Sequence, residues 1–68
     1  MDKIPEINRR LKVALARKGL TQFQAGLLTG IHPTTFSQLV RGYFAPTSEQ
    51  IEKLRKIFTR KQIDRIFN

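Results

Sequence analysis

The chain has 68 residues, no cysteine, and 13 lysines and arginines against 5 acids, giving a formal net charge of +8 and a pI near 11.0. This length supports one small domain, the lack of thiols removes disulfides and thiolate zinc sites and points to a reducing cytoplasm, and no apolar run approaches the ~20 residues of a membrane span. No signal-peptide pattern opens the chain, and a balance this basic commonly meets a polyanion.

Pro5 can open a first helix, in which Ile4, Ile7, Leu11, Ala14 and Leu15 recur at helical spacing through Lys18, and Gly19 stops it. Arg9, Arg10, Lys12 and Arg17 take its other faces, so the helix is amphipathic and basic. Thr21 and Gln24 form a T-x-x-Q capping box with Leu20 placed to staple onto Ala25, which starts a second helix at Gln22. Gly30 ends it in a left-handed residue. Ile31 then returns to the core, and His32 as N-cap with Pro33 at the first helical position starts a third helix that closes at Gly42. Phe36 and Leu39 give this helix an inner face, which leaves Thr34, Thr35, Ser37, Gln38 and Arg41 outward.

Tyr43 to Pro46 form a short loop, with Phe44 expected to pack beneath it because aromatic burial is so favourable. Two further capping boxes, Thr47 with Gln50 and Thr59 with Gln62, start a fourth and a fifth helix. Ile51, Leu54, Ile57 and Phe58 mark the fourth, and Ile63, Ile66 and Phe67 the fifth. Some of that last group must close the core over the first helix. The pattern is all-α throughout, without repeats or strand alternation.

Charge is unevenly placed. From Gly19 to Val40 there is no formally charged residue, while basic blocks precede and follow the gap. A neutral surface with cationic flanks suits a ligand read at its centre and held by phosphates at its edges. A basic amphipathic first helix on an anionic membrane is a weaker reading, since Glu6 and Asn8 lie on the polar face and no aromatic anchors the apolar one.

Catalytic constellations are missing. His32 is the only histidine, Glu49 and Glu52 suit a helix start better than acid–base work, and neither phosphate-loop motif occurs. No enzyme activity, cofactor, metal or small-molecule ligand is expected.

Two short helices joined by a glycine turn are the frame of a helix-turn-helix, here residues 21 to 42 within a single domain of residues 1 to 68. The run Gly19-Leu20-Thr21-Gln22, then Gly30-Ile31, Thr35-Phe36-Ser37, Arg41-Gly42 and Pro46, resembles the helix-turn-helix family of phage repressors, Cro proteins and their bacterial relatives, the lambda-repressor-like or XRE type. The similarity covers roughly residues 7 to 58. It implies a compact five-helix lambda-repressor-like domain and a sequence-specific regulator of transcription, a repressor or Cro-like protein of phage or bacterium, acting in the cytoplasm on double-stranded DNA. Under that resemblance Gln22 holds phosphate and braces the third helix, and Pro33, Thr34, Ser37 and Gln38 read bases.

The chain departs from the family at several positions. Ala25 and Thr29 stand where many members have leucines, which underfills the inner face of the second helix, and Phe23, Leu27 and Leu28 are apolar where members are often polar. Leu15 and Val40 stand where many members have a buried ion pair, a swap that is often neutral or stabilising.

The expected mechanism places residues 33 to 41 in a major groove, with Gln38 gripping adenine through its amide. Phosphates are expected at Gln22, Thr35, Arg41, Tyr43, Arg10 and Lys18 and at the backbone N–H groups of both motif helix starts. One module reads too few base pairs alone, so a homodimer on a two-fold operator is expected. Its interface is placed at Phe44, Ala45, Pro46, Ile63, Ile66 and Phe67, with Phe23 and Leu27 as second choice. The alternative is an antitoxin-like or other protein-interaction subunit; RNA binding and nonspecific architectural DNA binding rank below it.

Overall fold

The computed structural model describes residues 7 to 67. Among them are five helices and no strand: α1 (Arg9–Arg17), α2 (Gln22–Thr29), α3 (Pro33–Val40), α4 (Ser48–Leu54) and α5 (Arg60–Phe67). None is long and apolar enough to cross a membrane.

The start of α1 differs from the expectation. Pro5 and Ile4 lie outside the described residues, but Asn8 is the N-cap, with φ −77 and ψ 90, so no helix runs back through Ile7. The reason is a competing set of hydrogen bonds. Asn8 Oδ1 accepts the Leu11 N–H at 3.0 Å, its Nδ2 donates to the Ile66 carbonyl at 3.0 Å, and its backbone N–H donates to the Val40 carbonyl at 2.7 Å. One side chain thus starts α1 and fastens it to the end of α5, while its backbone fastens it to the end of α3. Ile7 is left exposed rather than on an inner face.

The ends of α1, α2 and α3 follow their sequence signals, whereas α4 stops at Leu54. Ile57 and Phe58, expected to mark that helix, lie in the turn after it, where the Ile57 N–H bonds three residues back to the Leu54 carbonyl at 3.1 Å. At the end of α1 the Leu20 N–H reaches the Leu15 carbonyl and the Gly19 N–H the Ala16 carbonyl, both at 3.0 Å, a Schellman closure. All three capping boxes form, with reciprocal side-chain bonds of 2.9 to 3.2 Å at Thr21–Gln24, Thr47–Gln50 and Thr59–Gln62. Each box satisfies two donors that a helix start would otherwise leave unpaired, and losing its threonine costs roughly 1 kcal/mol.

The core is one cluster built from Leu11 and Leu15 of α1, the inner face of α3, Leu54 and Phe58, and Ile63 and Ile66 of α5. Leu15 and Val40 are both buried in it, as an apolar replacement for an ion pair requires. Leu20 packs at its margin beside the buried Ala25.

The inner face of α2 is not underfilled. Ala25, Gly26 and Thr29 are all buried, and their small size brings the helix close to the turn and the start of α3. A Cβ on Gly26 would stand 2.9 Å from the Ile31 carbonyl oxygen and 3.0 Å from Pro33 Cα. Only glycine fits that approach. Thr29 supplies what a leucine could not: its hydroxyl donates to the Ala25 carbonyl at 2.8 Å and accepts the Ile31 N–H at 3.2 Å. A buried polar residue therefore has its bonds made, and it ties the turn to the end of α2.

Candidate nucleic-acid interface

The turn between α2 and α3 is tightly determined. Gly30 takes φ 80, Ile31 is buried, and the His32 side chain accepts the Thr34 N–H through Nδ1 at 3.2 Å. Pro33 occupies the first position of α3, where a missing N–H costs nothing. The buried face of α3 is Phe36, Leu39 and Val40. Helical spacing then commits the remaining residues to the outside.

Pro33, Thr34, Ser37 and Gln38 line one open concavity, and Gln22, Arg41 and Tyr43 border it. Seven of the expected site residues are thereby brought together by two helices and the loop after them. Thr34 and Gln38 are exposed, while Pro33 and Ser37 are half-buried. The walls are hydroxyls, amides and a proline methylene surface, with Arg41 as the one cation among the lining residues. Chemically, this surface can donate and accept hydrogen bonds at short range and meet a methyl group, without the hydration that a row of charges would hold.

Phe23 also lines the concavity, and it is 61% exposed. The sequence offers it as a subunit contact, and its place next to Gln22 gives no signal of a shared face, since neighbouring helical residues point about 100° apart; the structure alone puts both on the concavity.

Backbone donors are not equally available at the two helix starts. At α2 the Gln24 N–H is taken by Thr21, leaving Gln22 and Phe23 ahead of it in the first turn. At α3 Pro33 has no N–H and that of Thr34 is taken by His32. Fewer first-turn N–H groups are therefore left over at the start of α3 than at the start of α2.

Three of the expected phosphate contacts fall elsewhere. Thr35 is half-buried and does not line the concavity. Arg10 donates through Nη1 to the Arg65 carbonyl at 2.9 Å, and Lys18 Nζ stands 5.6 Å over the Phe58 ring. Arg10 on α1 and Lys18 at its C-cap thus face α5 and the segment before it. Sequence order placed them beside the motif; packing does not.

Of the expected interface residues, Ile63 and Ile66 are buried at 3% and 6% exposure, inside the subunit's own core. Phe44 and Ala45 are exposed, while Pro46 and Phe67 are half-buried. Phe44, Ala45 and Phe67 share a surface cavity with the exposed Ile7. Phe44 thus lies beside α5 rather than sealed under its loop, because Leu39 and the residues of α5 already fill the space beneath.

No family model, no curated protein and no solved structure matches the chain.

Proposed function

We infer that the chain is a sequence-specific double-stranded DNA-binding regulator of transcription with a lambda-repressor-like helix-turn-helix formed by α2 and α3. The observation that carries the reading is the convergence of Gln22, Pro33, Thr34, Ser37 and Gln38 on one nearly uncharged concavity, with Arg41 at its edge. α3 enters the major groove by its N-terminal end, and Gln22 with the first N–H groups of α2 holds a phosphate.

Each side chain has a defined task. The Gln38 amide donates to adenine N7 and accepts from adenine N6, a paired contact worth about 1–3 kcal/mol against the wrong base. Thr34 and Ser37 hydrogen-bond to base edges or touch a thymine methyl, which is all that Pro33 does. Arg41 and the Tyr43 hydroxyl hold the backbone. Two copies act on half-sites about one helical turn apart, joined through the cavity of Phe44, Ala45, Phe67 and Ile7. Bound over a promoter, the pair excludes polymerase, so the output is repression.

The test is selection of bound sequences from a random duplex pool, repeated with Gln38→Ala. A recovered two-fold motif is expected, with the variant losing preference at one position per half-site while keeping its affinity for random DNA. Recovery of no motif at all overturns the reading.

A second reading rests on a different observation. Phe23, Leu27 and Leu28 are 61%, 63% and 54% exposed, large apolar residues on one short helix. They suit a subunit that covers a protein partner, and failure of the selection would favour that role.

A further inference from the structure

The cations that flank the neutral segment in sequence come together in space. Two adjoining grooves follow α1, α5 and the segment before α5: one is lined by Arg9, Arg17, Lys18 and Arg65, the other by Lys18, Lys56 and Arg60. Lys18 and Gln62 line both, so the two are continuous. Neither shares a lining residue with the concavity of α2 and α3.

No carboxylate lines either groove among the described residues. α1 carries no acid, and Asp64, the one acid of α5, lies off the groove. Arg10 and Arg55 also line it, but Arg10 is engaged with the Arg65 carbonyl and Arg55 with Glu52 at 3.3 Å. The charge offered to a ligand is therefore that of Arg9, Arg17, Lys18, Lys56, Arg60 and Arg65, all exposed. Like charges so gathered repel one another and weaken the compact state, so the fold has no use for the arrangement.

We propose that this groove holds the sugar–phosphate backbone of a nucleic acid by charge alone, a sequence-independent contact separate from the reading concavity. Four of the six cations are arginines, whose planar fork matches phosphate oxygens two at a time. An acidic protein partner would need apolar or aromatic anchors at the centre of its interface, and the groove offers only Val13 as an exposed large apolar side chain. Its reach is adequate as well. A helix of nine residues spans about 13 Å, and successive phosphates along one strand of a duplex lie about 7 Å apart, so roughly two or three phosphates pass along it.

The full chain is titrated by fluorescence anisotropy with a labelled random-sequence duplex between about 50 and 200 mM KCl, alongside the triple variant R9Q/R17Q/R65Q. Affinity for every duplex should fall, and the dependence of log affinity on log salt should flatten by about 0.9 per lost contact, two to three in all. The base motif recovered by selection should not change. If that motif is absent in the parent chain but the slope still flattens, the reading concavity fails and the groove stands. An unaltered slope overturns the proposal, as does unaltered duplex binding together with loss of binding to polyglutamate, which would assign the groove to an acidic protein. Circular dichroism checks the fold; should the triple variant lose helix, R9Q and R65Q measured singly should each flatten the slope by about 0.9, and no change in either counts against the groove.

Discussion

α2 and α3 are both eight residues long and are joined by one tight turn, yet they sort their residues in opposite ways. α3 buries Phe36, Leu39 and Val40 and turns Thr34 and Gln38 outward. α2 buries Ala25, Gly26 and Thr29 and turns Phe23, Leu27 and Leu28 outward. The difference separates two jobs that an amphipathic helix usually combines. α3 is held by its volume in the core; α2 is held by how near it stands to α3, which only small inward residues permit. Its large apolar side chains are then left over from folding, and one of them, Phe23, sits in the candidate site.

The most severe way to break that contrast is Gly26→Val. The new Cβ would meet backbone on two sides, the Ile31 carbonyl at 2.9 Å and Pro33 Cα at 3.0 Å, and backbone cannot swing aside as a side-chain end does. Overpacking of this kind costs about 3 kcal/mol, or a fall of more than 10 °C in Tm for a domain near this size, which is much of what so small a domain possesses. Alanine is a poorer probe, because it regains about 1 kcal/mol of helix propensity over glycine. A Tm within 2 °C of the parent chain, by thermal circular dichroism, would show that α2 and α3 are not in close approach.

Thr29→Val is the next largest. Valine keeps the shape but removes the acceptor of the Ile31 N–H, at a site with no exposure. Leaving a buried donor unpaired costs about 1–3 kcal/mol. The readout is urea denaturation: the midpoint should fall with the m-value unchanged. A neutral result would mean that water reaches the turn.

These two positions also mark where sequence stops being legible. The caps were readable because each is local: Thr21 and Gln24 are three apart, and their geometry needs nothing from the rest of the chain. The inner face of α3 was readable from spacing alone. Gly26 was not, since a glycine within a helix looks like a weakness until the segment that crosses it is known. Asn8 failed for the same reason, its partners at Ile66 and Val40 lying far along the chain. The site divides likewise. The residues of the concavity belong to two adjacent helices and the loop after them, and all but Phe23 were singled out for it in the sequence, whereas Arg10 and Lys18 were placed with them and packing carried them to α5 and the segment before it.

The smallest expected effect is the most informative about α2's outer face. Phe23 and Leu27, one helical turn apart, are more than half exposed, and neither belongs to the core or packs against it. The double change Phe23→Ser and Leu27→Ser should therefore shift stability by no more than about 1 kcal/mol, the sum of two ordinary surface substitutions. A larger loss would mean that these side chains are covered in solution, by a second copy of the chain, and the melting temperature would then rise with protein concentration in the parent and not in the variant. With stability unchanged, loss of the selected DNA motif would assign Phe23 to the reading surface it borders. Retention of the motif together with a lower sedimentation coefficient would assign the pair to the subunit interface instead. Either way the outward sorting of α2 acquires a cause that the fold by itself does not provide.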